Sequence, residues 1–214
     1  MPAQANSKVD AEARVARLLE RLARPVPPRK LQHIVEQLAA FWRGPANLHF
    51  CVGGRSYWQV LPTAHAVFGV AAHARARCVE VRRAVACALA AAASYSEIPA
   101  AGLLALLADE HALVRLPAAQ AASTYPPCEA LRIILLDRLA DPVWTVRWYA
   151  AAAVGRLGEL DRAAATLLAS EPPPGRHHAA WVTAAQSVQP APAVLRERLA
   201  ALQTAPGIHD LAGS

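Results

Sequence analysis

The chain has 214 residues, of which 55% are hydrophobic and only 18% charged, enough apolar material for one domain or one short repeat array. Its net charge of +6 is uneven: residues 1–100 carry 13 Lys/Arg against 6 Asp/Glu, and residues 101–214 carry 9 against 10. Attraction to an anionic partner therefore belongs to the N-terminal half, and no uncharged run approaches membrane-spanning length, since Ala84 to Ser96 is short and mostly alanine.

Alanine dominates the apolar fraction and aromatics make up 6%, a composition suited to helices packed closely together. Of the 22 basic residues, 20 are arginine, which fits phosphate or carboxylate recognition and equally fits codon bias. Cys51, Cys78, Cys87 and Cys128 form no CxxC pair, and no secretory signal precedes them. Reduced thiols and a cytoplasmic location are the expectation.

In chain order, Val9 to Arg24 is an amphipathic helix with the apolar stripe Val15, Leu18, Leu19, Leu22. Arg14, Arg17, Arg21 and Arg24 step by 3, 4 and 3 beside it, an electrostatic patch or simply the solvated face of a capping helix. Pro25, Pro27 and Pro28 break this helix, and Leu31 to Trp42 forms a second. Arg43 to Pro62 departs from a simple turn. Leu48–Val52 and Arg55–Val60 are rich in β-formers and flank Gly53-Gly54. A hairpin near 48–60 would set Phe50 opposite Tyr57 and His49 opposite Trp58. The alternative is a long loop in which Tyr57 and Trp58 start the next helix. In either case Tyr57 and Trp58 are candidate partner contacts, because insertions carry function more often than scaffolds do.

From residue 62 onward the sequence repeats. Val81-Arg82, Val114-Arg115 and Val146-Arg147 recur at spacings of 33 and 32 residues, each followed by alanines at matching offsets. Asp109 and Asp141 precede the last two by five residues, and His177 to Val188 is a degraded fourth copy. Each unit reads as helix, short turn, helix. In DPVWTVRWYAAAAVGRLG, Asp141 is expected to cap the second helix with Pro142 at its first position, and Gly155 and Gly158 to end or loosen it.

Asp141-Pro142, Val146-Arg147, Ala150-Ala151 and Ala153-Val154-Gly155 resemble the HEAT-repeat family, in particular the short HEAT-like repeats also found in phycobilin lyases. The resemblance spans about residues 62–190 and implies an all-α, right-handed α-solenoid of helix pairs. It implies three segments: an N-terminal helical cap with its inserted hairpin or loop (1–61), four repeats and a terminal helix (62–203), and a flexible tail (204–214). It also implies a structural ladder in which Arg115 and Arg147 pair with Asp109 or Asp141, joined by Arg82. Such arrays serve unrelated functions, so the likeness bears on architecture rather than activity.

Signs of chemistry are few. The histidines lack zinc spacing, so no metal site is expected. The iron-binding His-Glu pairs of HEAT-like hydroxylases are missing, as are a P-loop and a GxSxG elbow. No enzyme and no cofactor is therefore expected. Trp144 and Trp148 are four apart on one helix face and, with Tyr149, fall in slots the repeat leaves free. With Trp181, bordered by Arg83 and Arg176, they form either an aromatic anchor on the concave face or filling for the seam between repeats. The function expected is a non-catalytic adaptor that binds a protein partner through its concave face. Two alternatives stay open. One is a nucleic-acid-binding protein of DNA-glycosylase-like architecture that uses the basic N-terminal half. The other is an accessory protein for cofactor or tetrapyrrole attachment.

Overall fold

Three prolines between residues 25 and 28 separate the first two helices, α1 (Lys8–Leu22) and α2 (Pro28–Trp42), and Pro28 occupies the opening turn of α2, where its missing N–H has no helical partner to lose. The computed structural model describes residues 8–43, 49–52, 55–58, 60–93, 100–125, 129–172 and 177–204. Two short strands follow α2: β1 (His49–Val52) and β2 (Arg55–Trp58), antiparallel, with His49 opposite Trp58 and Phe50 opposite Tyr57. A two-residue connection between Val52 and Arg55 dictates that register. Val60 N–H then donates to Phe41 O, tying the end of the insertion to α2.

The rest is helical: α3 (Ala64–Ala71), α4 (Val79–Ala92), α5 (Ala100–Leu107), α6 (Ala112–Thr124), α7 (Glu129–Arg138), α8 (Trp144–Arg156), α9 (Leu160–Ala169), α10 (His178–Gln186) and α11 (Ala193–Thr204). Thr63 caps α3, its hydroxyl accepting from Ala66 N–H. The chain divides into two compact units, 1–125 and 126–214. Helices α1 and α2 lie in the first unit together with α3 to α6.

In the first unit the second helix of each pair packs on the next, α2 against α4 and α4 against α6. Ile34, Val35, Leu38, Phe41 and Trp42 of α2 and Val81, Val85 and Leu89 of α4 are all buried. The alanines Ala84, Ala86, Ala88, Ala118, Ala119 and Ala121 are buried too, and their small side chains allow the close approach of neighbouring helices. In the second unit α8 packs against α7, α9 and α10. A Cβ on Gly155 would stand 3.1 Å from both methyls of Val188, so bare backbone is what lets α8 meet the end of α10.

The turns between paired helices share one construction. Asp109 Oδ1 accepts from His111 N–H, and Asp141 Oδ1 accepts from Val143 N–H, both at 2.9 Å. Each helix then begins one residue later, with His111 or Val143 as N-cap and no side-chain cap. This corrects the expectation of Asp141 as helix cap and Pro142 as first helical residue. The carboxylate closes an Asx turn before the helix instead, satisfying an N–H the bend would otherwise orphan.

The repeated arginine completes the turn. Arg82 Nη1 donates to Ala76 O and Arg77 O, Arg115 Nη1 to Asp109 O and Glu110 O, and Arg147 Nη1 to Asp141 O and Pro142 O. Three copies thus place a guanidinium on the carbonyls six and five residues upstream. Arg82 also forks forward onto the Asp109 carboxylate, at 2.5 Å from Nε and 3.1 Å from Nη2. The Arg147 contacts are to backbone of its own turn, so the expected side-chain pairing with an Asp carboxylate is corrected at that position: the six-residue loop-back is satisfied by carbonyls already pointing at it.

Candidate functional site

The tryptophans of α8 and α10 were the leading site residues on sequence grounds. Trp148 and Trp181 are 0% exposed and lie at the centre of the second unit's core, among Ala151, Ala152, Ala163, Ala164, Ala184 and Ala185. Alanine pairs leave volume between helices, and an indole fills it. Trp148 Nε1–H donates to Ser170 O at 2.9 Å, and Trp181 Nε1–H to Leu167 O at 2.8 Å. Both acceptors are carbonyls at the C-terminal end of α9, and Leu167 O also accepts from Ser170 N–H. The two rings are seam residues, and neither is available to a partner. This corrects their place in the expected concave-face anchor.

Trp144 is half-buried, its ring 4.3 Å from that of Trp148 and edge-on to His177 at 4.7 Å. Tyr149 is also half-buried, and burial pushes its phenol pKa up. Trp144 is the accessible edge of this ring cluster, and Tyr149, five residues further on, lies on another face of α8. Arg176 lies outside the described residues. Tyr57 and Trp58 stand in β2, opposite Phe50 and His49.

The repeat explains why Trp148 looked free. Two residues after the repeat valine stand Arg83, Leu116 and Trp148. Arg83 is exposed on α4 and Leu116 half-exposed on α6, while in α8 the end of α9 and α10 close over the same slot. One residue before the valine stand Glu80, Leu113 and Thr145. Leu113 is 63% exposed. In the first unit the open surface of the repeat is thus the exposed face of α2, α4 and α6.

Between α2 and α4 that face holds a cleft of about 270 Å³, lined by Gln32, Glu36, Arg43, Glu80, Arg83 and Cys87. Arg43 and Arg83 form no ion pair among the described residues. The Cys87 thiol has its pKa raised by burial, which outweighs the opposite pull of Arg43 and Arg83. Arg43 and Cys87 were not singled out as site residues from sequence, because only the packing of α2 on α4 brings them together.

On α1 the predicted stripe divides. Arg17, Arg21 and Arg24 are exposed. Arg14 turns inward, donating to Gln37 Oε1 at 3.4 Å with its guanidinium 6.0 Å from the Phe41 ring centre. It joins α1 to α2 instead of extending the patch. Asp141, the residue that a glycosylase-like site would need, is buried and engaged by Val143 N–H and Arg138. Among the described residues no three His, Cys, Asp or Glu side chains are grouped to hold a metal, and no helix is long and apolar enough to cross a membrane.

No family model matches the chain, and no curated protein matches it. Among solved structures it is similar to a designed armadillo repeat protein, YIII(Dq)4CqI, at 14% identity and a TM-score of 0.56, covering 90% of this chain and 93% of that one. At that identity the likeness speaks for fold alone. The fold is an α-solenoid of the armadillo-like helical-repeat class.

Proposed function

We propose that the protein is a non-catalytic adaptor that holds a protein partner on the face of α2, α4 and α6, the concave side of such an array. One observation carries this reading. Neighbouring second helices present an exposed Leu113, a half-exposed Leu116 and an Arg83 without an ionic partner among the described residues, at repeat positions that stay open in α4 and α6. Arginine is enriched at protein interfaces, and exposed apolar side chains beside it mark surface that a partner covers. Trp144 supplies a secondary aromatic edge in the second unit.

The test is quantitative cross-linking of the full chain in extract of its native cell, with wild type beside an Arg83→Glu/Leu113→Asp variant. Both sites are exposed, so the variant keeps its fold. A partner held here is lost at least tenfold from the variant. Undiminished capture of every cross-linked protein would sink the reading.

A further inference from the structure

The cations of the two units are used differently. In the second unit Arg132 pairs with Glu159 and Glu129, Arg138 with Asp137 and Asp141, Arg162 with Glu159, and Arg198 with Glu171. In the first unit Arg21, Arg24, Arg29, Lys30, Arg75 and Arg77 are exposed and form no ion pair among the described residues. Arg17, Arg43 and Arg83 are likewise exposed and form no ion pair among the described residues, on α1, at the end of α2 and on α4; the other six gather in two places, the end of α1 with the turn and first residues of α2, and the turn from α3 to α4.

The two turns are neighbours. Leu22, the last residue of α1, packs beside Gly69 near the end of α3, so the chain leaves both helices at the same edge of the unit. Pro25, Pro27 and Pro28 hold the first turn rigid. At the next turn, between α5 and α6, the charge reverses: Asp109 and Glu110 stand there, both engaged by Arg82. The basic edge is therefore bounded to two turns. Phe68, on the last turn of α3 before the chain reaches Arg75 and Arg77, is 52% exposed, which puts an apolar side chain within the span of a short segment bound there.

We propose that this edge is a second docking surface, for a short acidic protein segment that carries an apolar side chain. Clustered unpaired cations repel one another and favour an anionic occupant. The bounded length and the exposed Phe68 fit a short segment of that composition. A long phosphate chain would run on to the Asp109 and Glu110 carboxylates, which line the same cleft as Arg75 and Arg77 and end the basic edge there. This surface is separate from Arg83 and Leu113, so it stands or falls independently of the face above.

Fluorescence anisotropy on the full chain tests it, with three labelled probes: a peptide of Glu and Asp around a single Leu, the same peptide with Gln and Asn for the acids, and a single-stranded oligodeoxynucleotide. The acidic peptide binds and the amide peptide does not. Arg24→Gln/Arg75→Gln/Arg77→Gln weakens the acidic peptide at least tenfold, Phe68→Ala weakens it severalfold, and Arg83→Glu/Leu113→Asp leaves it unchanged. All these sites are exposed, and circular dichroism checks that each variant is folded. Binding of the acidic peptide that ignores the triple variant overturns the proposal. So does an oligonucleotide that binds more tightly than the peptide with a steep salt dependence, or an acidic peptide that does not bind at all.

Discussion

Arg82 and Asp109, 27 residues apart, join two successive helix pairs through a two-pronged guanidinium–carboxylate contact. Both side chains are largely buried. Burial opposes the charge on Asp109, but the Arg82 fork, the His111 N–H and nearby positive charge together hold its pKa below the usual carboxylate range. A carboxyl whose folded pKa is depressed contributes stability above its unfolded pKa, about 3.9, and that contribution disappears as pH falls through the folded value. Asp109→Asn is therefore expected to cost about 1–3 kcal/mol near neutral pH. In urea melts the gap between wild type and variant should narrow below about pH 4. A gap that is constant down to pH 3 would show that the charge on Asp109 is not what stabilises the joint.

Two helical glycines predict opposite outcomes for the same substitution. At Gly69 a Cβ would meet only Leu22 Cδ2 at 3.7 Å, an ordinary contact, so Gly69→Ala should gain about 0.5–1 kcal/mol from helix propensity. At Gly155 it would stand 3.1 Å from Val188 Cγ1 and Cγ2. Gly155→Ala should lose about 1 kcal/mol or more despite the same propensity gain. Combining it with Val188→Ala reopens the gap, so the double variant should lose less than the sum of the two single changes. Thermal melts of the four proteins check this.

Periodicity made the array legible. The Val-Arg repeats, with their alanines, sit on packed second helices in α4, α6 and α8, because the period of a solenoid and the buried stripe of each helix are both local properties of the chain. Contacts between elements were less legible. Asp141 resembles a helix cap because an Asx turn and an N-cap use the same residue type two positions apart. Trp148 occupied a free slot in the repeat, but only the end of α9 reveals that the slot is covered there. Phe68, Arg75 and Arg77 gave no pattern of their own, because their meaning comes from the turn of α1 and α2 lying beside theirs.

Burial makes Cys87 a slow thiol. With its pKa raised, little thiolate exists at neutral pH, and only the thiolate attacks an alkylating agent. Iodoacetamide labelling should be slower at Cys87 than at a free cysteine peptide at pH 7.5, and should accelerate as pH rises past 9. Arg43 and Arg83 pull the pKa down against burial, so removing both in an Arg43→Gln/Arg83→Gln variant should slow labelling further. Faster labelling in that variant would mean that the arginines shield the thiol instead of stabilising its anion.

Trp148 separates stability from binding. Its ring is fully buried against Ala151, Ala152 and Trp181, and its N–H serves the Ser170 carbonyl. Trp148→Ala should cost about 3–5 kcal/mol through the cavity it leaves, whereas Trp148→Phe keeps most of the ring and should cost roughly 1–2 kcal/mol, chiefly by orphaning that carbonyl. Arg83→Glu/Leu113→Asp touches the equivalent face where it is open and should leave the melting temperature almost unchanged while partner capture falls. The two kinds of variant should therefore lose different properties, as melts and cross-linking on the same samples will show. If Trp148→Phe is fully stable yet loses the partner, the indole reaches the partner's surface after all, and α8 belongs to the binding face.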